Sequence, residues 1–203
     1  AYTTQEIRCP APTDTRKSGQ PVGALLRCAP LLGAPSGTHP RPFHPETHPM
    51  SDTATRVLSL EDELLDLLGP AAVSTEPRVR ERASVDGSPM SPIIAAKLPL
   101  GLADLVVFAA DAEQIATAVA AASRHGVPIT VRGKGTGNYG QGIPMQGGLV
   151  VDTTRAKAIV DVGDGFITAE AGTPMVMLEQ AAWASGQALW MYPSTAQSTI
   201  GGF

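Results

Sequence analysis

Residues 132–142 read "RGKGTGNYGQG", five glycines in eleven positions with two cations and a threonine among them. No other stretch restricts the fold so much. Glycine loses more backbone freedom on ordering than any other residue, so this density works against both a helix and a regular strand. It permits a loop whose backbone amides come close to an anion, because no Cβ intervenes. Gly135, Gly137 and Gly140 have the G-x-G-x-x-G spacing of a dinucleotide-binding turn. In a doubly wound nucleotide fold that turn opens a helix whose amino end receives the pyrophosphate. Here Gly142, Pro144, Gly147 and Gly148 forbid the helix. Asp152 lies at about the spacing of a ribose-binding acid, but it ends a strand and cannot supply what is missing. A P-loop is excluded too, since no Gly-Lys-Ser/Thr follows.

What remains is a loop that holds diphosphate through consecutive backbone N–H groups, a concave nest. Gly133, Gly135 and Gly137 are expected to take positive φ and let the anion approach. Arg132 and Lys134 add positive charge, while Thr136 and Asn138 can donate hydrogen bonds to phosphate oxygens. The bland alternative is a glycine-rich surface turn. A strand feeding the loop and a second polar loop, "PSTAQSTIGGF", weigh against it.

The flanking pattern gives an α+β order. A helix is expected from Ser59, with Leu60, Leu64, Leu65 and Leu68 on its apolar face and Gly69-Pro70 as its stop. Residues 74–92 carry Pro77, Pro89 and Pro92 and are expected to form a loop, with Arg78, Arg80 and Arg82 solvated. "LVVF" (105–108) predicts a strand. Asp111 with Gln114 forms a capping box for a helix that buries Ile115, Val119 and Ala122 and ends at Gly126. "VPITVR" completes a β-α-β unit with parallel strands. Strands are expected over 148–152, 158–162 and 166–172. Thr173 as cap and Pro174 at the first helical position open another helix, with Met177, Leu178 and Ala181 inward. "ALWMY" (188–192) predicts a last strand.

Composition separates the first 49 residues from the rest. They hold nine of the 18 prolines, both cysteines (Cys9, Cys28) and three of the four histidines. Five Lys/Arg face three acids there, against ten facing sixteen from Met50 onward. No apolar period appears, so 1–49 is expected to be disordered and not part of the native domain. His39, His44 and His48 sit among prolines without the spacing of a metal site. The overall charge of −4 argues against nonspecific nucleic-acid binding. No apolar run reaches the ~18 residues of a membrane span. With no signal peptide after Met50, a cytoplasmic location is expected.

Several elements in order carry a resemblance: "RGKGTGNYGQG", "GGLVVDTTR", "AEAGTP", a glycine before a strand, and "YPSTAQSTIGG". Residues 99–203 resemble the FAD-binding domain of the vanillyl-alcohol oxidase and p-cresol methylhydroxylase type. They are most similar to the FAD-linked glycolate oxidase and D-lactate dehydrogenase group. The resemblance implies an FAD-binding fold of a small β-α-β unit followed by a mixed or antiparallel sheet with flanking helices, and residues 50–98 as a helical lead-in. It implies FAD with its pyrophosphate on Arg132, Gly133, Lys134, Gly135, Thr136 and Gly137, and further contacts from Asn138, Gly140 and Gln141. It places Pro193, Ser194, Ser198, Thr199, Ile200 and Gly201 along the diphosphate and toward the flavin. Relatives that attach flavin covalently from this loop have histidine where Thr136 stands, a bond threonine cannot make.

The implied activity is oxidation of a small-molecule substrate, a 2-hydroxy acid or similar alcohol, by hydride transfer to flavin N5, with an electron-acceptor partner. Relatives continue past the final Gly-Gly into a substrate domain, so catalytic residues are expected beyond Phe203 and little turnover from this chain. A flavoprotein subunit that passes electrons to a partner, and a non-catalytic interaction domain, are the competing expectations.

Overall fold

"LVVF" and "LVVD" are apolar at three or more consecutive positions, as strands covered on both faces require. The computed structural model, which describes residues 4–8, 50–98 and 100–203, sets them side by side in one sheet. In chain order the elements are β1 (Thr4–Arg8), α1 (Met50–Leu68), β2 (Val73–Ser74), α2 (Pro77–Ala83), α3 (Pro92–Ala95) and β3 (Leu105–Phe108). Then come α4 (Ala112–His125), β4 (Ile129–Arg132), β5 (Leu149–Asp152), β6 (Ile159–Gly163), β7 (Phe166–Glu170), α5 (Met175–Ala184) and a 3₁₀ turn (Ile200–Gly202). One sheet has the order β2-β3-β5-β4, parallel except for β2. The other, β1-β7-β6, is antiparallel throughout. A mixed sheet and an antiparallel one, flanked by helices, is the expected α+β arrangement.

Local signals around β3 and α4 hold well. Asp111 Oδ1 accepts from the Gln114 amide at 2.8 Å, and Gly126 closes α4 with φ 62°. The Gln114 side chain returns its bond to the Ala110 amide, one residue before the expected position. β3 and β4 are parallel as expected but are not neighbours, because β5 inserts between them. β5, with Leu149, Val150 and Val151 fully buried, thereby has a parallel partner on each edge.

Elsewhere tertiary contacts override local signals. α1 begins at Met50, so Ser59 is interior and not a cap. Val57, Leu60, Leu64 and Leu68 continue one face, and the fully buried Leu60 and Leu64 pack with α4 against β3 and β5. Residues 74–92 are not all loop: Pro77 starts α2, and Arg80 leaves solvent to donate to Ala103 O at 2.6 Å. Pro174, not Thr173, is the cap residue of α5, and buried Thr173 donates its hydroxyl to Ala158 O at 3.3 Å. Leu178 points inward, but its buried companions are Met175 and Ala182, with Met177 and Ala181 half-buried. Residues 188–192 form no strand; Trp190 and Met191 are 70% and 68% exposed. Within the segment expected to be disordered, Thr4–Arg8 pair antiparallel with β7. Cys9, Cys28 and the three early histidines lie outside the described residues. Among the described residues no helix is long and apolar enough to cross a membrane.

α1 and α4 are also joined at their surface. The Glu63 carboxylate accepts from Arg124 and lies 2.7 Å from His125 Nε2. Arg124, and then His125, hold the Glu63 carboxyl below its ordinary value. A depressed carboxylate contributes stability that is fully present above its unfolded pKa and is lost as pH falls through the folded value. Glu63→Gln should therefore lower the urea midpoint near neutrality and converge on wild type under acid conditions. The difference should shrink at high salt, as for any exposed pair. Leu64→Ala empties a fully buried site and should cost about 2–5 kcal/mol in denaturant unfolding at all pH values.

Candidate cofactor site

The loop after β4 leaves the carboxyl end of a parallel sheet, where open α/β sheets generally receive ligands. Its base is fixed because Arg132 O accepts from both the Thr153 amide (2.9 Å) and hydroxyl (3.2 Å). The second polar loop reaches it from the antiparallel side. Together they enclose a cleft of about 110 Å³ lined by residues 131–137, Gln141, Gly142, Ser198, Thr199, Gly202 and Asp86. The structure thus brings together Arg132, Gly133, Lys134, Gly135, Thr136, Gly137, Gln141, Ser198 and Thr199. A second hollow of about 260 Å³ adjoins it, sharing Arg132, Gly133 and Lys134 and reaching Phe108, Asp152 and Thr154.

The glycines act differently from the expectation. Of Gly133, Gly135 and Gly137, only Gly135 has positive φ, at 70°. Gly133 is required by proximity: a Cβ there would stand 1.9 Å from Thr199 Oγ1. At Gly137 a Cβ would meet the Gln141 amide nitrogen at 2.7 Å. Gln141 in turn accepts from the Tyr139 amide at 3.2 Å. The glycines therefore permit contact with the second loop at Gly133, close packing within the loop at Gly137 and a left-handed turn at Gly135.

The second loop is fastened to the start of α5. Met175 and Val176 amides donate to Ser198 O and Ala196 O, both at 2.9 Å, and the Ile200 amide donates to Thr173 O at 2.9 Å. These bonds occupy helix-end amides that would otherwise attract an anion. Ile200 points away from the cleft into the core beside Ile167 and Leu178. Asn138, Gly140, Pro193, Ser194 and Gly201 do not line the cleft. Gly201 packs on Ala171 and Gly140 faces Met90.

Asp86 and Gly142 were not expected at the site. Asp86 Oδ2 accepts from the Gly142 amide at 3.4 Å and Oδ1 from the Ser88 amide at 2.9 Å. "DG" at 86–87 signals a turn in the sequence. Nothing in it shows that the turn meets a loop some fifty residues later. The donors around the cleft suit a diphosphate: loop amides, the Thr136 and Thr199 hydroxyls and exposed Lys134, with the one carboxylate already accepting two bonds. That donor set, gathered around one cleft, is the structural mark of the fit.

Residues 103–203 match the family described as FAD binding domain. This part of the chain is a member of that FAD-binding domain family, and its cofactor is FAD. It is 29% identical to an uncharacterized FAD-linked oxidoreductase of Mycobacterium tuberculosis, over 68% of this chain and 29% of that protein. It is 25% identical to the glycolate oxidase subunit GlcD of Bacillus subtilis, over 70% of this chain and 29% of the relative. The matched part spans less than a third of either relative's length. Among solved structures, p-cresol methylhydroxylase superposes with a TM-score of 0.58 at 18% identity, over 76% of this chain and 29% of that one. The fold is that of the p-cresol methylhydroxylase-type FAD-binding domain.

Substitutions in the loop should rank in a set order when FAD affinity is followed by quenching of flavin fluorescence. Gly135→Val and Gly133→Ala should abolish binding in chains that stay folded by circular dichroism. Lys134→Ala removes one exposed charge and should cost about fivefold, less at high salt. Normal FAD affinity in folded Gly135→Val would show the loop to be a mere turn.

Proposed function

We propose that the protein serves the flavin-dependent oxidation of a 2-hydroxy acid or a similar small alcohol. The convergence of two polar loops on a diphosphate-sized cleft, within a domain of the FAD-linked family, carries this reading. FAD supplies an acceptor of two electrons at N5 when bound. Oxidation of the alcohol carbon to a carbonyl releases those electrons as a hydride, and the hydroxyl proton leaves to a base. The part assigned to this chain is cofactor binding. Loop amides at 133–137, with Lys134, Thr136, Ser198 and Thr199, hold the diphosphate and so set where the flavin lies. The name of the glycolate oxidase subunit favours a 2-hydroxy acid as substrate class. We also propose a cytoplasmic enzyme that hands its electrons to a separate acceptor.

Bleaching of the flavin absorbance of the full-length protein under anaerobic conditions, tried with glycolate, D-lactate and simple primary alcohols, tests the substrate class. Bleaching by a 2-hydroxy acid alone is expected; a yellow protein that only an external electron carrier reduces would favour an electron-transfer subunit. Residues 126–203 contain neither Cys nor His, and Thr136 offers no imidazole. Acid precipitation should therefore release the flavin to the supernatant, and a yellow pellet would show a covalent bond.

A further inference from the structure

We propose that Arg132 is a positioning residue and not a ligand of the diphosphate. It ties the cofactor loop to the carboxyl end of α2 and so makes residues 77–87 part of the cofactor site. Its Nη1 lies 3.2 Å from Arg82 O, 2.6 Å from Ala83 O and 2.9 Å from Val85 O. A short helix leaves such terminal carbonyls without partners, and the negative end of its dipole favours a cation there. The other arm of the guanidinium supports the loop. A Cβ on Gly135 would stand 1.9 Å from Nη2, so the left-handed turn at Gly135 lies directly against Arg132. Nε is buried with no partner among the described residues, so the Nη contacts hold the head in place at the cost of one unpaired donor.

Neighbouring contacts strengthen the tie. Asp86 accepts from the Gly142 amide, and a Cβ at Gly87 would lie 3.1 Å from Gly137 O. The lead-in segment therefore meets the loop near 135, 137 and 142. A guanidinium can reach carbonyls with one arm and support a turn with the other; an ammonium on a flexible stem cannot do both. With Nη1 committed to carbonyls, attraction of the diphosphate falls to Lys134 and the loop amides.

Arg132→Lys and Arg132→Met in the whole chain separate the two roles, and the proposal rests on the diphosphate reading of the cleft only in its second measurement. The first is hydrogen exchange without FAD. The Ser88 and Gly142 amides, both hydrogen-bonded to Asp86 where the two segments meet, should exchange about tenfold faster in both variants, while α4 amides keep their wild-type rates. The second is FAD affinity at about 0.05 M and about 0.5 M salt, which span Debye lengths on either side of 10 Å. Both variants should lose affinity by a similar factor that does not change with salt. Wild-type exchange in both variants would overturn the proposal. So would full affinity in Arg132→Lys with a loss in Arg132→Met that fades at high salt, since a simple charge would behave that way. A wild-type chain that fails to bind FAD would count against the diphosphate cleft, while the exchange rates would still decide the tie.

Discussion

The cofactor cleft depends on two loops from different sheets coming closer than any side chain at Gly133 would allow. A Cβ there would stand 1.9 Å from Thr199 Oγ1, and Thr199 is buried. A second approach of the same kind joins the two sheets at their root. Gly172 donates to Ala156 O at 2.8 Å, and a Cβ on it would stand 1.8 Å from Thr153 O. Both contacts exploit a missing Cβ to bring backbone against backbone or hydroxyl. The cleft is therefore a product of packing between units, and each loop alone would be an open turn.

That packing also explains where an anion can sit in this fold. The start of α5 would be an ordinary anion site, yet its Met175 and Val176 amides donate to the second loop. Free donors are found instead on the loop after β4, where exposed Lys134 adds charge. The chain as a whole is acidic at −4. Binding of a polyanion needs only local donors and a local cation, so overall charge does not oppose it.

Arg132 and Asp86 show how far the site extends from its motif. The sequence places Arg132 at the head of the glycine loop and suggests a charge for phosphate. In the fold its Nη1 faces the carbonyls that follow α2, from a segment that looked like a polar connector. The carboxylate of Asp86, poorly suited by itself to an anion cleft, accepts from the backbone amides of Ser88 and Gly142. Residue type suggests a chemistry, and the neighbours decide whether the ligand or the scaffold receives it.

What the sequence determined by itself is local. The apolar runs at 105–108 and 149–151, the Asp111 cap, the Gly126 stop and the helix-forbidding residues after Gly142 each act within a few positions. They were enough to fix most strands, α4 and the absence of a helix after the glycine-rich loop. What only the tertiary structure decided depends on partners distant in the chain. It lengthened α1 back to Met50, with Val57 of the added turns packed on the core, and put β5 between β3 and β4. It left 188–192 outside both sheets, with Trp190 and Met191 exposed. It also turned Ile200 into the core and brought Asp86 to the cleft. Periodicity and capping are set by neighbours in sequence, whereas strand order and loop contact are set by which surfaces bury each other.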